Sequence, residues 1–88
     1  GDIRLNALQK VAVLLLVMGL EKGKKVMALM DSDELNRVLS EISKLQDLSP
    51  KSQESIWNEF VQKGYEVEMT PGETLFVLRQ YFNGSKIR

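Results

Sequence analysis

The 88-residue chain contains no cysteine and no histidine. Those two absences together remove disulfides, thiol nucleophiles, zinc sites of the common kinds and imidazole acid–base catalysis. The lack of cysteine also fits a cytosolic setting. Net charge is missing too: 12 basic and 12 acidic residues cancel, with residues 1–30 at +3 and the remainder at −3. So small an excess is no basic face for nucleic acid. No apolar run approaches the ~20 residues needed to cross a bilayer. The longest run has Arg4 and Lys10 before it but no small-residue cleavage site after it, which excludes a signal-peptide core. What is left is the composition of one small soluble domain, large enough for a core of its own.

That longest run is the most informative stretch present. Val11 to Met18 is apolar at all eight positions, between Asn6 with Gln9 (a helix start) and Gly19 (a helix stop). Eight residues cover about 2.2 helical turns, so the helix from about Ala7 to Met18 has no polar face. Other helices, or a partner, must surround it.

Caps and periodicity supply four more helices. The second runs from about Glu21 to Met30, with Lys22, Lys24 and Lys25 set against Val26, Met27, Leu29 and Met30. Gly23 inside it costs about 1 kcal/mol relative to alanine and points to a bend or a close helix–helix approach. Asp31 with Glu34 opens a third helix, whose stripe Leu35, Val38, Leu39, Ile42 and Leu45 is expected to be buried. Glu34, Arg37, Glu41 and Lys44 are expected on its solvent side. Ser49-Pro50 starts the fourth helix, which carries Ile56, Trp57, Phe60 and Val61 and ends at Gly64.

Tyr65 to Met69 alternates apolar and acidic residues but has no second strand to pair with, and reads as a loop. Thr70-Pro71-Gly72-Glu73 caps a fifth helix with Leu75, Phe76, Leu78, Tyr81 and Phe82, ending at Asn83-Gly84. Ser85 to Arg88 is expected to begin a further helix. Short joints between helices of roughly ten residues make the fold class all-α.

No constellation survives as chemistry. Asp31-Ser32-Asp33-Glu34 looks like the start of a calcium loop, yet Leu35 and Asn36 stand where an oxygen ligand and a glycine are required. Gly23-Lys24-Lys25 lacks the rest of a phosphate loop. The spacing of Gly19 and Gly23 has meaning mainly inside a membrane. Glu66 and Glu68 have no nucleophile beside them. A helix-turn-helix reader built from the second and third helices would present Asp33, Glu34 and Glu41 to phosphates, which is repulsive. Trp57, beside Ile56 and Phe60, reads as a core residue. No catalytic residue, metal or cofactor is expected.

The order of these features resembles one family. Leu8-Gln9-Lys10-Val11-Ala12-Val13-Leu14-Leu15-Leu16-Val17-Met18-Gly19 is similar to the opening Q-K-A-A-I-L-L-L-x-L-G of the N-terminal domain of the flagellar motor switch protein FliG. Leu29 to Leu35 resembles that family's L-S-x-E-E-V turn, Ile42 to Pro50 its helix end and serine–proline restart, and Glu59-Phe60 a recurring E-F. Phe82-Asn83-Gly84 falls at the usual L-G end of the domain. Gly23-Lys24 replaces a usual alanine pair and Pro71-Gly72 a glycine pair, the pattern of a divergent member or paralogue.

The resemblance implies an armadillo-like right-handed bundle or superhelix of about five short helices, spanning residues 1–84, with 85–88 opening a connecting helix. It implies an adaptor, not an enzyme. Such a domain grips the helical cytoplasmic tail of the membrane-ring protein FliF, packs beside neighbouring FliG copies, and mounts the cytoplasmic switch ring at the inner membrane. Other switch proteins would be reached only through domains outside this stretch. Val13, Leu16, Val17, Ile56, Phe60, Leu75 and Leu78 are the candidate groove residues, and each is equally suited to the core. If about three side chains of the first helix stay uncovered, a partner burying them gains roughly 4–9 kcal/mol before association costs. Two rival readings are a magnesium-sensing helical domain of the MgtE transporter type, related in its superhelical build, and a helical DNA-binding regulator.

Overall fold

A computed structural model describes residues 5–45 and 48–82. The elements in order are α1 (Ala7–Val17), α2 (Leu20–Met27), α3 (Ser32–Lys44), α4 (Pro50–Gln62) and α5 (Pro71–Leu78), closed by a 3-10 turn over Arg79–Phe82. Among the described residues the fold is all-α. The expected helix end at Asn83-Gly84 and the connecting helix over 85–88 lie outside the described residues.

Four of the five starts follow from local side-chain chemistry, while α2 begins after Gly19 with no side-chain cap. The first turn of a helix leaves N–H groups without partners, and a nearby side chain can accept from them. Gln9 N–H donates to Asn6 Oδ1 at 2.8 Å, while Asn6 N–H donates to Gln9 Oε1 at 2.9 Å. The same reciprocal pair recurs with Asp31 and Glu34 at α3, and with Thr70 and Glu73 at α5. At α4, Ser49 Oγ accepts from Ser52 N–H, and Pro50 occupies the first helical position.

The stops are equally local. Gly19 and Gly64 have φ of 104° and 117°, a region that side chains with a Cβ disfavour. Past α4, Gly64 N–H donates to Val61 O and Tyr65 N–H to Phe60 O, the paired bonds that close a helix end. The Tyr65 ring then stacks on Phe60 with centroids 4.4 Å apart. One glycine thus ends the helix and swings the next aromatic ring back onto it. Trp57 completes the cluster edge-on, 5.8 Å from Phe60 and 5.3 Å from Tyr65. Residues 65–69 form turns, as expected of a loop.

Helix α1 is the middle of the molecule. α2, α3, α4 and the 3-10 turn all pack on it, and α5 packs on α2. Val11 to Leu15 are buried without a break, and Val26, Val38, Phe60 and Leu78 close around them. The approach of α2 is close: a Cβ added at Gly23 would lie 2.7 Å from the Leu15 carbonyl oxygen. The glycine therefore marks a close helix–helix approach.

Three helices rotate relative to the expected faces. Leu39, Val61 and Phe76 are exposed, Phe76 at 72%. On α5 the buried arc is centred on Thr74, Val77 and Leu78, and Phe76 lies about half a turn from its centre. On α3 the inward residues are Glu34 and Val38, with Leu35, Ile42 and Leu45 partly covered.

Glu34, expected in water, is fully buried. Arg79 donates from Nε to its Oε2 at 2.8 Å and from Nη2 to its Oε1 at 2.9 Å. The hydrogen bonds from Arg79 hold the Glu34 carboxyl below its ordinary value of 4.5, against burial that pushes it up. The guanidinium makes the burial of the charge tolerable.

Candidate partner-binding groove

The burial of α1 stops at its last turn. Leu16 is 55% exposed, Val17 is exposed too, and Leu20, which follows the glycine, is 77% exposed. These side chains stand beside a groove of about 290 Å³ lined by Val13, Leu16, Val17, Ile42, Leu45, Leu48 and Gln53. A second hollow of about 140 Å³ is lined by Leu15, Leu16, Gly19, Leu20, Gly23, Met27 and Ile42. Leu16 and Ile42 belong to both, so the two hollows adjoin and together make a trough bordered by the end of α1, α2, the C-terminal half of α3 and Gln53 of α4.

The side chains that line the trough are mostly apolar. Among its lining residues Gln53 has the one polar side chain, and its Nε2 donates to the Leu48 carbonyl at 3.0 Å. Of the lysines on α2, Lys22 is committed inside the chain: Nζ donates to the Tyr65 hydroxyl at 2.8 Å and to Val67 O at 3.0 Å. Lys24, one turn after Leu20, remains exposed near the rim. Such a surface offers shape and apolar area, which suits the nonpolar stripe of an amphipathic helix.

Of the seven groove residues expected from sequence, three come together here. Val13 forms the floor, and Leu16 and Val17 the edge. Ile56, Phe60, Leu75 and Leu78 lie in the interior cluster, with Phe60 and Leu78 fully enclosed. The wall facing α1 is supplied by Ile42, Leu45, Leu48 and the α4 residue Gln53 rather than by Ile56, Phe60 or α5. Leu20 was legible as an apolar residue continuing the α1 pattern past its glycine stop. No local signal marks the uncovered end of the α3 stripe, because the periodicity of a buried and a half-covered stripe is the same.

No three or more acidic residues come together among the described residues in a way that could hold a metal ion. Among those residues no helix is long and apolar enough to cross a membrane.

Fold and trough define a small helical domain that presents an apolar surface at the end of its central helix. The chain matches the model of the FliG N-terminal domain over residues 4–79 and belongs to that family. No curated protein and no solved structure matches it. Family membership makes the chain a component of the flagellar motor switch, from a structural rather than an enzymatic family.

Proposed function

We propose that this domain is the adaptor that seats the switch on the membrane ring, by taking a helix of the cytoplasmic tail of FliF into the trough beside α1. One observation carries the reading: the helix with the family's residue order is the one whose last turn, Leu16 and Val17, is left uncovered beside an apolar groove. A tail helix laid there covers Leu16, Val17 and Leu20 and adds the fourth side that α1 lacks at that end. In this reading the domain works at the cytoplasmic face of the inner membrane, held there through FliF, and neighbouring FliG copies pack beside it to continue the ring.

Calorimetric titration of the full chain with a synthetic FliF tail peptide tests it. The expected outcome is saturable binding at micromolar concentrations, weakened at least about tenfold by Leu16→Gln with Val17→Gln, since hot spots cluster on such central apolar side chains. Absence of binding at those concentrations sinks the reading. Light scattering over a concentration series, with and without peptide, reports whether copies associate.

A further inference from the structure

The segment made of α5 and the 3-10 turn is held to the domain differently from the other helices. Its apolar residues Leu75, Val77, Leu78 and Tyr81 are buried, but it also brings polar groups inside. Thr74 Oγ1 and Tyr81 OH are both buried without a hydrogen-bond partner. Thr74 Oγ1 has given up water and received nothing in return, which favours the state in which the segment is open, and Tyr81 OH has only the nearby Glu59 carboxylate in place of water. The closing turn is 3-10, whose hydrogen bonds are poorer in geometry than those of an α-helix.

Against this stand the Lys63 ammonium over the Tyr81 ring, 5.0 Å from its centroid, and one ion pair, between Arg79 at the end of α5 and Glu34 at the start of α3. The ion pair is asymmetric. The Glu34 side chain is 0% exposed, while that of Arg79 is 40% exposed. Glu34 has a second, independent anchor, since its Oε1 also accepts from Asp31 N–H at 2.9 Å. Arg79 is therefore the partner that can leave: its guanidinium already meets water, whereas the carboxylate is fixed in the α3 cap. The other ion pairs among the described residues, Lys10 with Glu59 and Asp33 with Arg37, have both partners partly exposed.

We infer that α5 and the 3-10 turn form a strap that opens as a unit ahead of the rest of the domain, with the Glu34–Arg79 pair as its clasp. Opening returns the two hydroxyls to water and uncovers Leu75 and Leu78 with the surface they cover.

Native-state hydrogen exchange on the full chain tests the inference. In the unaltered protein, amides Thr74 to Arg79 should exchange through an opening with a smaller urea dependence than amides Val11 to Leu15. Arg79→Met, which leaves the α3 cap intact, should speed exchange at Thr74 to Arg79 by at least about tenfold, and at Val11 to Leu15 by a similar factor because global unfolding also breaks the clasp. Ile56→Val, on α4, which stays folded when the strap opens, should speed Val11 to Leu15 and leave Thr74 to Arg79 unchanged. Arg79→Lys, which keeps the charge but loses the two-point grip, should fall between. No acceleration at Thr74 to Arg79 by Arg79→Met overturns the clasp, and equal acceleration of both sets by Ile56→Val overturns the strap. If Arg79→Met does not fold, the unaltered protein still decides: a single shared urea dependence for both sets overturns the strap.

Discussion

Gly23→Ala and Gly72→Ala are the same chemical change on two helices, and the structure gives them opposite signs. Replacing a helical glycine by alanine gains up to about 1 kcal/mol from backbone propensity. At Gly72 the added Cβ would lie 3.9 Å from Leu29 Cδ1, an ordinary contact, so the gain is kept. At Gly23 it would lie 2.7 Å from the carbonyl oxygen of Leu15. That oxygen belongs to the backbone of the central helix and cannot swing aside as a side chain could. α1 and α2 must part instead, and a gap of about 0.5 Å already forfeits roughly a quarter of the dispersion energy across a seam. Overpacking of this kind costs about 1–3 kcal/mol. A clash with backbone falls toward the upper end, leaving a net loss of about 1–2 kcal/mol after the propensity gain. For a domain of this size the loss lowers the melting temperature by about 4–16 °C. Thermal melts followed by circular dichroism, with urea midpoints as a second measure, should show Gly23→Ala below the parent and Gly72→Ala at or above it. If the two variants stabilise alike, the close approach of α1 and α2 is not what fixes glycine at position 23.

Other perturbations separate core from surface. Phe60→Ala should cost about 3–5 kcal/mol by chemical denaturation, as a large enclosed aromatic does, whereas Leu16→Gln should change stability by no more than about 0.5 kcal/mol; comparable losses would contradict the placement of Leu16 outside the core. Glu34 has a depressed carboxyl, so its contribution is fully present above its ordinary value of 4.5 and disappears as pH falls through the lower folded value. Urea midpoints of Glu34→Gln across the acid range should consequently start lower and vary less with pH than those of the parent. Tyr81 runs the other way: burial first, then the nearby Glu59 carboxylate, raise its phenol above 10.0. Its contribution is present below pH ~10 and fades as the solution becomes more alkaline. Tyr81→Phe should be close to neutral at pH 7, since the hydroxyl it removes has given up water for no more than the nearby Glu59 carboxylate, and a loss above about 1 kcal/mol would refute that account.

The helix starts and stops were legible in the sequence because they are local. Asn6 with Gln9, Asp31 with Glu34, and Thr70 with Glu73 each complete their chemistry within four residues, and Gly19 and Gly64 act on the turns they occupy. The fate of Glu34 was not legible. It satisfies its cap whether it lies in water or in the interior, and only Arg79, 45 positions away, decides which. Phe76 shows the same limit from the apolar side. Leu75 to Leu78 are apolar at all four positions, so periodicity cannot say which arc of α5 turns inward, and the choice passes to the neighbouring helix. The site divided along the same line. The α1 half, Val13, Leu16 and Val17, follows from an apolar run too complete for its neighbours to cover. The α3 half depends on where that helix ends relative to α1, which no spacing within α3 records.

The trough shares its floor with the core, because Val13 lies on α1 between residues that hold α2, α3, α4 and the 3-10 turn in place. A ligand seated there would not hang from a peripheral lever. Force arriving through it would enter the one strut that all but one of the other elements lean on, and would leave through their packing in several directions at once. A rotating assembly needs joints that carry load without first yielding at a hinge. This domain places its handle on its keel.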